Sequence, residues 1–233
     1  MILLKEIEVF LEKKRIEITC LSDLHGFLPK NLPSGDLLIV AGDLTARDTE
    51  KQIDEFGEWL AKQKYDLKVF IGGNHDGFLQ KKFAPIECLD IIYLCDSGIT
   101  YKDFKIWGSP WTPTFCNWHF MKDRGKEIRK MWDLIPKDTE ILITHGPPMG
   151  ILDQVEISSK AVHENHAGCE ELRAVIEDLP KLKLHVFGHI HESYGEMILK
   201  RPGYGCENNI HCVNASIMDG HYNPINKPIR VVL

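Results

Sequence analysis

Five short apolar runs restrict the fold of this chain more than any other feature of its sequence. Each run is about as long as a β-strand and almost uninterrupted in its apolar, often β-branched, character. That pattern is typical of strands covered on both faces of a sheet. The predicted buried strands are residues 16–21, 37–41, 68–71, 141–144 and 184–187.

Amphipathic segments between these strands predict helices that pack against the sheet. Residues 49–62 carry apolar side chains at helical spacing, and Asp48 or Thr49 precedes them as an N-cap. Strands that alternate with helices favour a layered α/β sandwich. Two further helices are predicted at 121–135 and 168–179, and three further strands at 194–200, 211–214 and 229–233.

The composition and charge are those of an ordinary globular chain. It has 233 residues, a formal net charge of -6 and seven scattered cysteines, none of them in a C-x-x-C pair. We expect one domain over residues 1–233, with 1–15 as an N-terminal extension or an extra strand. The scattered cysteines and the lack of a signal-peptide pattern favour a cytoplasmic location without membrane association. The acidic balance disfavours extended nucleic-acid binding, and the oligomeric state stays open.

Polar side chains with metal-binding chemistry follow each predicted strand directly. Because the carboxyl ends of strands line the ligand crevice of open α/β sheets, we expect these side chains to converge. Imidazole together with carboxylate suits a borderline divalent ion, and the set is large enough for two ions bridged by one aspartate. The strands are followed by Asp23, His25, Asp43, Asn74, His75, His145, His189 and His191.

The ordered motifs D-x-H, G-D, G-N-H-D, H-G and G-H-x-H resemble those of the calcineurin-like metallophosphoesterases. Segments 107–113, 144–148, 185–192, 213–216 and 219–229 resemble its metallophosphoesterase-domain-containing (MPPED-type) subfamily more closely still. The resemblance covers about residues 16–233. It implies a four-layer α/β/β/α sandwich around a central pair of mixed sheets.

The same resemblance implies roles for the polar residues. His75 would be the general acid and, with Asn74, would contact the substrate, while Asp43 would bridge two divalent ions and serve catalysis. Manganese is the first expectation for both ions, with iron, zinc, cobalt or nickel as alternatives. The first ion would be bound by Asp23, His25 and His191, and the second by Asn74, His145 and His189.

The implied activity is hydrolysis of a small phosphodiester by in-line attack of a metal-bridging hydroxide, with a nucleotide-derived ester as the first candidate substrate. Two alternatives stay open: a phosphomonoesterase or phosphatase of the same fold, and a low-activity nucleotide-binding scaffold. Protein phosphatases of the wider family extend G-D to G-D-x-x-D-R, but this chain has Ala46 and Arg47 at the last two positions. The acid that steadies the catalytic histidine is therefore absent. Arg47 and Asn214 are weaker candidates for substrate contact. The alternative for Arg47 is a solvated side chain at the start of a helix, and the alternative for Asn214 is a turn.

Several other residues allow two interpretations. Trp107, Trp111, Phe115 and Trp118 either stack a ring of the substrate or fill a packed loop. His163 and His166 belong either to a solvated loop or to a lid over the site. The residues expected to be structural are Cys20, Cys212, His119, His185, His211 and His221.

Overall fold

The computed structural model describes residues 15–82, 89–156, 166–201 and 209–233. The predicted extension at 1–15 lies outside these ranges except for Arg15. The strands are β1 (Glu17–Leu21), β2 (Gly35–Ala41), β3 (Tyr65–Ile71), β4 (Ile91–Tyr93), β5 (Ser97–Tyr101), β6 (Phe104–Ser109), β7 (Thr112–Pro113), β8 (Met121–Lys122), β9 (Ile141–Thr144), β10 (Leu184–Phe187), β11 (Gly195–Leu199), β12 (Ile210–Asn214) and β13 (Ile229–Val232).

The strands form two large mixed sheets. The first has the order β13-β1-β2-β3-β4, and the second has the order β11-β12-β10-β9-β6-β5. In the first sheet only β13 runs antiparallel to its neighbour. In the second, the edge strands β11 and β5 are antiparallel to theirs. The central strands of each sheet are therefore parallel, and their carboxyl ends lie at one edge. A short parallel pair, β7 and β8, lies apart from both sheets.

The helices are α1 (Glu50–Ala61), α2 (Gly77–Lys82), α3 (Lys126–Trp132) and α4 (Glu170–Glu177), with a single 3-10 turn at His191–Ser193. Thr49 caps α1, because its side chain accepts a hydrogen bond from the backbone N–H of Gln52. In the part of the chain that the structure describes, no helix is both long and apolar enough to cross a bilayer.

The prediction of a helix over 121–135 is wrong at its amino end. Residues Met121–Lys122 form β8, and the backbone N–H of Thr114 donates to the carbonyl of Lys122 at 2.9 Å. The helix begins only after Gly125, whose positive φ of 79° turns the chain into it.

Three apolar clusters divide the fold into four layers. The central cluster lies between the sheets and joins residues such as Ile39 and Val69 to Ile143 and Val186. A second cluster packs α1 against the outer face of the first sheet, and a third packs α3 and α4 against the outer face of the second. The predicted α/β/β/α sandwich with mixed sheets is confirmed.

Candidate metal centre

The strand ends place the predicted metal-binding side chains in one cleft between the sheets. Four of these residues have positive φ, with angles of 55° at Asp23, 43° at His25, 52° at Asp43 and 70° at His189. This conformation is uncommon for residues other than glycine, and it concentrates where surrounding contacts enforce it. Here the backbone N–H of Asp23 donates to Gly42, and that of His25 donates to Asp43. These backbone conformations point the four side chains towards one another.

Asp23, His25 and His191 form the first cluster, with all three potential ligand atoms within 4.8 Å of one another. The Nε2 atoms of His25 and His191 are 3.2 Å apart, and a carboxylate oxygen of Asp23 lies 3.5 Å from Nε2 of His191. His191 Nδ1 lies 3.1 Å from the carbonyl of Asp219. A proton on Nδ1 makes that bond and leaves the lone pair of Nε2 free for a metal.

Asp43, His145 and His189 form the second cluster. The side-chain oxygen of Asn74 extends it, because it lies 2.9 Å from Nε2 of His145. His145 Nδ1 is 2.9 Å from the carbonyl of Ala41, which again assigns the proton to Nδ1 and turns Nε2 towards the cluster.

Asp43 belongs to the second cluster and also faces the first. One of its oxygens is 3.3 Å from Nε2 of His145, and the other is 3.6 Å from Nε2 of His25. The carboxylate is buried, and buried charges need a counter-charge. Imidazole nitrogens with free lone pairs around buried carboxylates therefore fit divalent ions of borderline character.

The charges of the cleft shift several pKa values. Burial raises the pKa of Asp23, but its hydrogen bond to His191 and the histidine charges outweigh that effect and lower it to about 2. The same competition between burial and the charge of His145 holds the pKa of Asp43 well below its usual range. Burial lowers the pKa of His145, but Asp43 outweighs it and raises the value to about 9. Burial and His145 together lower the pKa of His189 to about 4.

These shifts predict how the stability of the metal-free protein depends on pH. The free energy of unfolding is expected to fall from pH 6.5 to about 9, because folded His145 keeps its proton up to about pH 9 while unfolded histidine loses it near 6.5. Saturating Mn²⁺ is expected to abolish the fall, because a metal-bound imidazole carries no proton to lose. Urea midpoints at pH 6.5, 7.5 and 8.5, with and without Mn²⁺, measure both effects. Equal slopes with and without the ion would contradict the assignment of His145 to the metal set.

Two glycines allow the backbone to approach these carboxylates. A Cβ at Gly73 would collide with the side chain and the backbone nitrogen of Asp43. A Cβ at Gly188 would collide with Asp23 and Ser22. The glycines beside the metal-binding motifs are therefore required by close packing.

His75 forms a third candidate group with His25 and Asp43, and it lies at the wall of an open cavity of about 480 Å³. Its backbone N–H donates to Asp43 at 2.8 Å, and its carbonyl accepts from the hydroxyl of Thr45 at 2.9 Å. Its ring is perpendicular to that of His25, with the centroids 4.6 Å apart. The ring of Trp118 lies 4.3 Å away on another side, inclined by 33°.

Two residues near the site were not singled out from the sequence. Asp76 is buried and accepts from the backbone N–H groups of Leu44, Thr45 and Gly73, so it ties the loop after β3 to the loop after β2. Burial and the charge of Asp43 raise its pKa to about 7. Tyr222 places its ring 4.9 Å from those of both His25 and His191. Asp76 is the fourth position of G-N-H-D, and Tyr222 lies in segment 219–229, which carries the subfamily resemblance, but neither pattern assigns a role to the side chain.

Arg47 and Asn214 do not reach the cavity. Neither residue belongs to the described part of the cavity lining. Arg47 is exposed at the approach to α1, where its backbone donates to Gln52. The buried amide of Asn214 donates to the carbonyls of Leu152 and Ile190, so its hydrogen-bonding capacity serves the fold. The geometry therefore gives their predicted substrate contact no support.

The aromatic segment divides between the two interpretations. Trp107 and Trp111 pack against the core, whereas Phe115 and Trp118 line the cavity and are 53% and 44% exposed. His163 lies outside the described residues, and His166 binds Asp153 at 2.6 Å. Six residues are predicted from the sequence to be structural. Of these, Cys20, Cys212 and His185 are buried, His119 and His211 face Asp48 and Glu196, and His221 is exposed.

A family model described as calcineurin-like phosphoesterase matches residues 16–193, about three quarters of the chain. The chain belongs to the calcineurin-like phosphoesterase family. It is 37% identical over 240 residues to metallophosphoesterase domain-containing protein 1 of Homo sapiens, covering 92% of this chain and 70% of that protein. The same identity and coverage hold for the protein of that name from Mus musculus. The UPF0046 protein T07D4.2 of Caenorhabditis elegans is 34% identical over 213 residues, or 77% of this chain and 52% of its own length.

Membership of the calcineurin-like phosphoesterase family indicates the general chemistry of the ligand clusters. The family implies metal-dependent hydrolysis of phosphoesters, and the chain carries candidate ligand clusters for divalent ions at the place where the motifs put them. The resemblance stated from the sequence is thereby confirmed.

Proposed function

We propose that this chain is a two-metal phosphodiesterase that hydrolyses small, nucleotide-derived phosphodiesters. The observation that carries the proposal is the position of Asp43, whose two oxygens face one histidine of each ligand cluster. Asp23, His25 and His191 would bind one ion, and Asp43 would be shared between the two. The second ion would be bound by Asn74, His145 and His189.

The residues of the cleft divide the work of hydrolysis. When bound, two divalent ions activate water and stabilise the charge on the phosphoryl group, with manganese as our first candidate. Asp23 and Asp43 are two buried negative charges, so two divalent ions leave the cleft with a positive surplus. That surplus attracts one phosphate group even though the chain as a whole carries a net charge of -6.

His75 supplies the proton that the leaving group needs. Water first releases one proton to solvent; as the resulting hydroxide bonds to phosphorus and the bond to the leaving oxygen breaks, a proton passes from a ring nitrogen of His75 to that oxygen. The imidazole then regains a proton from solvent. A positioned general acid of this kind contributes about 10² to 10⁴ in rate. The placement of His75 at the cavity wall supports this role.

The cavity wall supports a diester and a ring-containing substrate. Its arginine, Arg124, is already engaged by the carbonyls of Ala167 and Gly168 and by Glu170. In the described part of the cavity wall, little cationic charge is therefore left for the extra negative charge of a monoester outside the metal clusters. The exposed ring of Phe115 offers a face on which a nucleobase can stack.

Matched synthetic esters test the substrate class. We expect Mn²⁺-dependent kcat/KM for methyl 4-nitrophenyl phosphate to exceed that for 4-nitrophenyl phosphate by about tenfold or more. Thymidine 5′-(4-nitrophenyl) phosphate, which has the same leaving group, should show a lower KM than the methyl ester. Faster turnover of the monoester would support the phosphatase alternative instead. Metal binding without turnover of any ester would support a nucleotide-binding scaffold.

A further inference from the structure

The ring of the candidate general acid makes no hydrogen bond within the described residues, although one of its nitrogens lies within 4.8 Å of potential ligand atoms of His25 and Asp43. In the described residues, the hydrogen bonds of His75 are made by its backbone N–H and carbonyl, not by its ring. At the position where the G-D-x-x-D-R pattern has an acid, this chain has Ala46, which is exposed. Something other than that carboxylate must orient the imidazole.

Trp118 is the residue that lies face to face with this imidazole. The two ring centroids are 4.3 Å apart and the planes are inclined by 33°, which is a tilted stack. The imidazole of His25 meets His75 nearly perpendicularly, at 85° and 4.6 Å. The ring of His75 is therefore confined by one aromatic face and one aromatic edge, and both contacts depend on its side-chain torsion angles.

The segment that carries Trp118 is fixed to the strand-end loops on both sides. The backbone N–H of His119 donates to the carbonyl of Asn74 at 3.3 Å, and its Nε2 lies 3.3 Å from a carboxylate oxygen of Asp48. The His119 ring occupies the space over Gly77 that a side chain there would fill. Residues 112 and 120 are joined by a backbone hydrogen bond of 2.9 Å. Trp118 is thus held in place although it is 44% exposed.

We propose that Trp118 is a positioning residue that holds the imidazole of His75 in line with the leaving oxygen. This inference rests on the proposed function, in which His75 donates the proton. Trp118 takes the place of the missing carboxylate by restricting the torsion angles of His75 instead of accepting a hydrogen bond. The competing role for Trp118 is to stack the base of a nucleotide substrate, and the two roles affect kinetics differently.

Leaving groups of different basicity separate the two roles. Thymidine 5′-phenyl phosphate needs the proton more than thymidine 5′-(4-nitrophenyl) phosphate, because phenoxide is the poorer leaving group. We expect Trp118→Ala to lower kcat by about tenfold for the phenyl ester and by about twofold or less for the nitrophenyl ester, with KM unchanged. Trp118→Phe, which keeps an aromatic face, should restore most of the lost kcat.

A double-mutant cycle with His75→Gln tests whether Trp118 acts through His75. Trp118→Ala should have no further effect on kcat in the His75→Gln background. Leu134→Ala is the matched control, because Leu134 is an exposed apolar residue, 50% exposed, that lies outside the cavity lining. It should leave both kcat and KM unchanged.

The outcomes distinguish failure of the inference from failure of the proposed function. If Trp118→Ala raises KM equally for both nucleoside esters and leaves kcat unchanged, Trp118 stacks the substrate and the inference is overturned. The inference also fails alone if His75→Gln lowers turnover of the phenyl ester and Trp118→Ala does not. If the wild-type protein hydrolyses neither ester with Mn²⁺, the proposed function falls and takes this role of Trp118 with it.

Discussion

Replacing Asp43 with asparagine is expected to lower kcat/KM for an aryl phosphodiester by about 10³-fold or more. An amide has no negative charge, and its NH2 group cannot serve as a second ligand atom, so it cannot bridge two cations. The variant should also retain fewer than two metal ions per chain. Steady-state hydrolysis of methyl 4-nitrophenyl phosphate and the metal content after dialysis measure both effects.

Asp54→Asn is the matched control for this substitution. Asp54 is exposed on α1, so the same chemical change there should leave turnover and metal content as in the wild type. If Asp43→Asn hydrolysed the diester at the wild-type rate, a bridging carboxylate would not be part of the mechanism.

Replacing His75 with glutamine is expected to lower kcat by about 10²- to 10⁴-fold for a diester with a poor leaving group. Glutamine keeps polar atoms of similar reach but cannot donate an acidic proton at neutral pH. Because His75 belongs to neither of the two ligand sets assigned above, the variant should retain both ions. The loss should be much smaller for a 4-nitrophenyl ester, whose leaving group departs without protonation.

His211→Gln is the matched control, because it makes the same chemical change at a histidine elsewhere in the fold. His211 pairs with Glu196 between β12 and β11, away from the cavity lining, and its replacement should not change kcat for either ester. Equal losses for good and poor leaving groups in His75→Gln would argue that His75 supports metal binding and does not donate a proton.

The buried strands were predictable because their sequence and their environment agree. Strands such as β2 and β9 are covered on both faces, so their side chains are apolar throughout. The hairpin of β5 and β6 escaped prediction for the opposite reason. Its first strand alternates between exposed and half-buried residues, so it lacks a continuous apolar run. Its turn has positive φ at Lys102 and Asp103, and neither position is a glycine that would indicate a turn in the sequence.

The proposed metal ligands could also be found from the sequence, because each lies within a few residues of the end of a buried strand. The aromatic neighbours of the site could not be found in this way. Trp118 arrives through a loop anchored by His119, and Tyr222 arrives through the C-terminal tail, so tertiary contacts alone place them. Asn214 also follows a strand, but its amide donates to the carbonyls of Leu152 and Ile190, so its contact with substrate stays a prediction.

In the proposed mechanism, two divalent ions share Asp43, and both are required for diester hydrolysis. Titration of chelator-treated protein with Mn²⁺, with bound metal and hydrolysis of methyl 4-nitrophenyl phosphate measured in the same samples, tests it most directly. We expect two ions per chain at saturation and a rate that rises with occupancy of the second ion. Full turnover in the metal-free protein, or saturation at a single ion with full activity, would contradict it.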